Sequence, residues 1–129
     1  MSRTIISTPL APAAIGPYSQ GVAAAAGSRL VFLSGQLGLD PATGNLVDGG
    51  IEAQARQAFT NLRAVAEAAG GSLGHVVKFT LFLTDLSQFA TVNQVMAEFV
   101  PQPYPARSTI GVAALPKGGI FEVEAILAL

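Results

Sequence analysis

The chain has 129 residues, half of them apolar and 12% charged, against about 25% charged in an average soluble domain. A disordered chain is excluded, and the length suits one domain, residues 1–129, around one core. Seven Lys and Arg against eight Asp and Glu offer no basic stripe to nucleic acid, and the lack of cysteine excludes disulfides, thiolate nucleophiles and Cys-ligated zinc.

The apolar runs, such as 22–26 and 30–33, fall short of the ~18 residues that cross a bilayer. Residues 1–6 hold one basic residue and no sustained apolar stretch, so they do not read as a secretory signal. A cytoplasmic protein without a membrane partner is the simplest expectation. So few charges on so small a domain also predict a surface partly buried against sister subunits.

In chain order, the first segment closes in Pro9, Pro12, Gly16 and Pro17, a loop that carries Tyr18 outward. Residues 20–26 and 29–34, short and apolar on either side of Gly27-Ser28, predict a hairpin. Residues 40–44 have turn chemistry. From 51 to 69, Ile51, Ala55, Phe59, Leu62, Ala66 and Ala69 recur every three or four positions, with Ala58 and Val65 widening the stripe. Glu52, Gln54, Arg56, Arg63 and Glu67 fall elsewhere, which predicts an amphipathic helix stopped by Gly70-Gly71.

Residues 75–84, rich in Val, Phe, Leu and Thr, predict a long strand. Asp85 or Ser87 is placed to cap a second helix with Phe89, Val92, Met96, Phe99 and Val100 facing inward. Pro101, Pro103 and Pro105 end it, and strands at 106–112 and 120–128 follow. This order predicts an α+β fold, two helices packed on one face of a mixed β-sheet. The sheet's other face is too apolar to stay wet, so subunits are expected to pack against it.

Several chemistries fail on residue count alone. His75 is the single histidine, so neither a multi-His metal site nor an HExxH motif is possible. At a strand start with no nucleophile elbow nearby, it reads as structural. The glycine-rich run 70–74 lacks the lysine of a phosphate loop and follows a helix, so it reads as a helix stop.

What remains is a set of polar groups in apolar surroundings. Arg107 shares one strand face with Thr109 and Gly111. If buried, its charge needs an anionic partner. The commoner arrangement is an internal ion pair, here with Glu98, Glu122 or Glu124; the other is a fork awaiting a substrate carboxylate. Glu122 and Glu124 lie about 6.6 Å apart on one face of an otherwise apolar strand. They form either a solvated face or a general base in a cleft. Ser34 and Gly35 at a strand end can donate to a ligand oxygen or serve a turn. Asn93 interrupts the apolar spacing of the second helix, whose Phe and Met residues read as core.

Several blocks run in order through the whole chain: Ile15-Gly16-Pro17-Tyr18-Ser19-Gln20-Gly21, Ser34-Gly35-Gln36, Thr43-Gly44, Val77-Lys78-Phe79-Thr80 and Asp85-Leu86. Phe89-Ala90-Thr91-Val92-Asn93, Pro105-Ala106-Arg107-Ser108-Thr109, Leu115-Pro116-Lys117 and Glu122-Val123-Glu124-Ala125-Ile126 complete them. Together they resemble the RidA (YjgF) family, reactive-intermediate imine deaminases, and the Pro-Ala-Arg block fifteen residues before Glu122 is the specific part.

The resemblance implies a chorismate-mutase-like fold assembled as a homotrimer, with ligand clefts between subunits. It implies hydrolytic deamination of 2-enamine and 2-imine acids, such as 2-aminoacrylate through 2-iminopropanoate, to 2-keto acids and ammonia. No metal or other cofactor is implied. By the same resemblance Arg107 clamps the substrate carboxylate and Glu122 orients or deprotonates the attacking water. Tyr18, Ser34, Gly35 and Asn93 line the pocket, the Thr109 backbone amide assists the clamp, and Glu124 is structural. The resemblance thus favours the substrate fork for Arg107 over the internal ion pair.

Two rivals come from other classes. One is a keto-acid-binding or chaperone-like protein without turnover, which needs Arg107 but not Glu122. The other is an RNA endonuclease or translation inhibitor, opposed by the acidic balance and the lack of a basic, aromatic-laced surface. A deaminase of one specific catabolic intermediate, such as an aminomuconate, shares the reaction type and is not separated by sequence.

Overall fold

The computed structural model describes residues 3–129. Two strands of eight residues, β4 (Val76–Leu83) and β6 (Phe121–Ala128), run antiparallel at the centre of a four-stranded sheet. β3 (Leu30–Leu37) pairs antiparallel with the outer side of β6, and β5 (Ala106–Gly111) pairs parallel with β4. A parallel neighbour requires a crossover. Here α2 (Phe89–Phe99) supplies it, while α1 (Gly50–Ala68) links β3 to β4. The expected mixed sheet with two helices on one face is what forms.

Strand alternation sorts the side chains. Phe79, Leu81 and Leu83 of β4 and Phe121, Val123 and Leu127 of β6 are fully buried beneath the helices. Phe59 of α1 sits among three aromatic rings, 5.7 Å from Phe99, 5.7 Å from Phe121 and 6.1 Å from Phe79 between centroids. Full burial of a ring, as for Phe59, Phe79 and Phe121, contributes about 1.5–3 kcal/mol each. α1 follows the expected stripe with two departures: Val65 is exposed and Gln54 is buried. A β-carbon on Gly38 would lie 2.6 Å from the Gln54 Cα, so the chain just past β3 runs hard against the helix there. The buried amide is satisfied, because Gln54 Oε1 accepts the Ile120 N–H at 3.0 Å.

The helix ends where the glycines predict, with Gly70 at φ 90° and the Gly71 N–H returning to the Ala66 carbonyl. His75 is structural as expected: its Nδ1 accepts the Ser72 N–H at 3.0 Å and closes a one-turn cap. Asp85 caps the short turn Leu86–Gln88, and α2 itself begins only at Phe89.

The expected hairpin between residues 20–26 and 29–34 does not form. β2 (Gly21–Ala23) instead pairs with β1 (Thr4–Ile6), and β3 takes the distant β6 as its partner. Residues 23–26 are all alanine and offer little side chain to pack, whereas β6 presents eight residues of ladder and a buried face. The non-local pairing wins.

On the face away from the helices lie Lys78, Thr80, Phe82, Glu122, Glu124 and Ile126, with Leu30 and Phe32 of β3 and Ile110 of β5. Phe32 is 72% exposed, so this face is as bare as the sequence predicts. Among the described residues no helix is long and apolar enough to cross a membrane.

Candidate active site

Arg107 enters from β5. Register places Arg107, Thr109 and Gly111 beside Phe79, Leu81 and Leu83, so Arg107 points to the helix side of the sheet. There its guanidinium lies over two rings, 4.9 Å from the centroid of Tyr18 and 5.2 Å from that of Phe89. Its Nη1 donates to Asn93 Oδ1 at 2.7 Å and lies 3.6 Å from Met96 Sδ. Phe89, Asn93 and Met96 are spaced four and three residues apart, so one stripe of α2 grips the cation. The Tyr18 loop is sewn to the start of β5 by the Ser19 N–H donating to the Pro105 carbonyl at 2.8 Å.

The internal ion pair weighed against the substrate fork does not form among the described residues. Glu98 is engaged by Arg56 at 2.5 Å, and Glu122 and Glu124 lie across the sheet. Among the described residues no carboxylate pairs with Arg107. Burial pushes the guanidinium below its ordinary pKa, and the charge interaction with Tyr18 works the other way. The group stays cationic. A fixed, half-buried cation with aromatic faces and no anionic mate is suited to a small carboxylate. Close by on the same face, Thr109 Oγ1 is buried without a hydrogen-bond partner.

A second cluster forms on the opposite face. Leu33 pairs with Ala125 and Gln36 with Val123, so Ser34 and Gly35 together oppose Glu124 in a bulge. The bulge turns the Gly35 backbone toward Glu122. A β-carbon on Gly35 would lie 2.8 Å from Glu122 Cδ and closer still to Oε2, so only glycine leaves the carboxylate its place. Partial burial, reinforced by Glu124, raises the Glu122 pKa above the usual carboxylate value. Glu124 is exposed.

The candidate residues therefore fall into two groups. Tyr18, Asn93, Arg107 and Thr109 gather on the helix side, and Ser34, Gly35 and Glu122 on the bare side. Three contributors were missed in the sequence. Phe89 and Met96 read as core, yet Phe89 is half-buried over a cation. Their spacing with Asn93 was the available signal. Gly16 read as loop punctuation, but it abuts the guanidinium. A cavity of about 300 Å³ lined by Arg3, Ser28, His75 and Gln102, among others, includes none of the candidate residues, and its arginine donates to the Val76 and Pro103 carbonyls. Among the described residues no three His, Asp or Glu side chains converge as a metal site.

Residues 8–129 match the family model described as endoribonuclease L-PSP. The chain belongs to that family, also called RidA or YjgF. Among RidA relatives, the 2-iminobutanoate/2-iminopropanoate deaminase of Bos taurus is 52% identical over 124 residues, covering 96% of this chain and 88% of the bovine one. The crystal structure of RidA from an Antarctic Psychrobacter superposes with a TM-score of 0.76 at 52% identity, over 98% of this chain and 99% of that one. Escherichia coli TdcF, a RidA-fold structure with bound serine, gives 0.73 at 44% identity, over 98% of each chain. The α+β architecture described above is the RidA fold.

Proposed function

We propose that this chain hydrolyses reactive 2-imino and 2-enamino acids to 2-keto acids and ammonia. It does so as a cytoplasmic homotrimer of the chorismate-mutase-like kind, with its ligand clefts between subunits. The observation that carries the reading is Arg107, a charged group held by two rings and Asn93 yet left without a carboxylate of its own among the described residues. The naming of the bovine relative as an imine deaminase supports the same reading.

The chemistry asks little of the protein. An imine carbon is already electrophilic, so positioning the carboxylate and one water supplies much of the acceleration. Arg107 grips the substrate carboxylate and sets the C=N bond across the cleft, with Tyr18, Asn93 and Thr109 around it. Glu122, from an adjacent copy and backed by Ser34 and Gly35, accepts a proton as water adds to the imine carbon. It then returns that proton to nitrogen. As the carbinolamine collapses, its hydroxyl proton passes through the same carboxylate to nitrogen, the C–N bond breaks, ammonia leaves and the C=O of the keto acid forms. A carboxylate of raised pKa is suited to both transfers.

A pure binder would leave Glu122 without a task. A nucleic-acid substrate is disfavoured by the near-balanced charge of seven cationic and eight anionic side chains.

The test adds catalytic amounts of the protein to a serine or threonine dehydratase reaction containing an imine-trapping nucleophile. Diversion of imine from the trap into keto acid is expected. An unchanged ratio of trapped imine to keto acid would overturn the proposal.

A further inference from the structure

We infer that the cavity between the β1–β2 pair and the start of β4 is a second ligand site, which takes a short-chain monocarboxylate at Arg3 and is separate from Arg107. The cavity holds about 300 Å³, at the lower end of the range for small-molecule pockets. Its walls come from segments far apart in sequence: Arg3 ahead of β1, Ala25 beyond β2, Val77 at the head of β4, Pro101 after α2 and Ala128 at the end of β6. Val77 is the extra residue where the β4–β6 register slips between Val76 and Lys78.

Arg3 supplies the charge. Its Nη1 and Nη2 donate to the Val76 and Pro103 carbonyls, which fix the guanidinium at the cavity wall without cancelling its charge. The other N–H groups of the fork make no hydrogen bond among the described residues. No Asp or Glu lines the cavity, and Arg3 makes no ion pair among the described residues. Burial lowers the Arg3 pKa with no carboxylate to oppose it. A fixed, half-buried cation of this kind lacks only an anion.

The rest of the lining selects which anion. His75 Nδ1 accepts the Ser72 N–H, so the proton of the neutral ring sits on Nε2, a second donor from a lining residue. The Gly74 and His75 N–H groups are both spent on Ser72, so the loop offers no cradle of free amides. Arg3 is also the one Lys or Arg among the described lining residues. A single fixed charge without an amide nest suits a monoanion better than a phosphate. Ala25, Val77, Pro101, Pro103 and Ala128 give the apolar walls that receive a short hydrocarbon body.

The experiment titrates sodium butanoate into the isotope-labelled protein and follows NMR signals of Gly74, His75 and Gln102, which report this cavity. Saturable shifts are expected in wild type and equally in Arg107→Ala, which separates the site from the clamp. Arg3→Gln, which removes the charge, and Ala25→Leu, which fills the space from an apolar wall, should each raise the apparent Kd about tenfold or more. If Arg3→Gln melts early through loss of its ties to Val76 and Pro103, Ala25→Leu decides. Inorganic phosphate has charge without the body and 1-butanol the body without charge, so both should bind at least about tenfold more weakly. Absence of saturable shifts in wild type, their loss in a folded Arg107→Ala, or undiminished affinity in a folded Ala25→Leu overturns the proposal. Phosphate or 1-butanol binding as tightly as butanoate overturns it as well.

Discussion

Arg107 and Glu122 project from opposite faces of one sheet. Arg107 on β5 pairs with Phe79, whose side chain is sealed beneath the helices, while Glu122 on β6 pairs with Phe82 on the bare face. A carboxylate held at one cannot present its imine carbon to water held at the other within a single chain. A reaction that uses both needs a second copy, and the bare face carrying Phe32 and Ile110 is where an interface would form.

The raised pKa of Glu122 has a consequence for pH. Its cause is burial first and Glu124 second, and both favour the protonated form. If the ionised group takes the proton from water, activity should fall on the acid side at a pH above that of an ordinary glutamate. The stability sign is opposite: the folded state holds this proton more tightly, so wild type gains stability relative to Glu122→Gln as pH falls through the folded pKa. The wild-type activity profile, and urea melts of both proteins, from pH 4 to 8, roughly bracketing the carboxylate range, check the two signs.

Gly35→Ala tests the support of Glu122. The added methyl occupies the space of the carboxylate and pushes it from its place over the bulge. A displacement of this kind should lower kcat on the order of 100-fold. Binding of pyruvate at Arg107, on the far face, should hardly change. Calorimetry beside steady-state kinetics separates the two.

How much of this was legible in the sequence depends on the range of the cause. α1 and β4 follow from local periodicity. The Arg107 strand face and the Glu122 strand face follow from alternation, and both are found. The hairpin failed because strand choice is settled by the face each strand can bury, and β6 lies about ninety residues downstream of β3. Phe89 was misread because an aromatic on a helix stripe carries the same pattern over a core as over a cation, whereas Met96 is core as read and its sulfur also meets the guanidinium. Gln54 looked polar and outward, but the close approach of Gly38 buries it. Nothing in the sequence alone ruled out Glu98 as a mate for Arg107; Arg56 takes it instead.

Thr109→Val removes a buried hydroxyl that lacks a partner. Replacing it with an isosteric methyl should stabilise the free protein by about 1 kcal/mol. If the hydroxyl finds its partner in the bound substrate, KM rises in the same variant. Thermal melts and kinetics on one preparation read both effects, and unchanged KM would confine Thr109 to its backbone amide.

The most direct test of the two-copy site is complementation. Arg107→Ala and Glu122→Gln are each expected to be inactive, because each spoils every cleft. Dissociated, mixed in equal amounts and reassembled, they should recover about a quarter of wild-type activity, the fraction of clefts in a closed ring that draw an intact arginine and an intact glutamate from different copies. Mixed oligomers, verified by mass, that remain as inactive as the single variants would contradict a site shared between subunits.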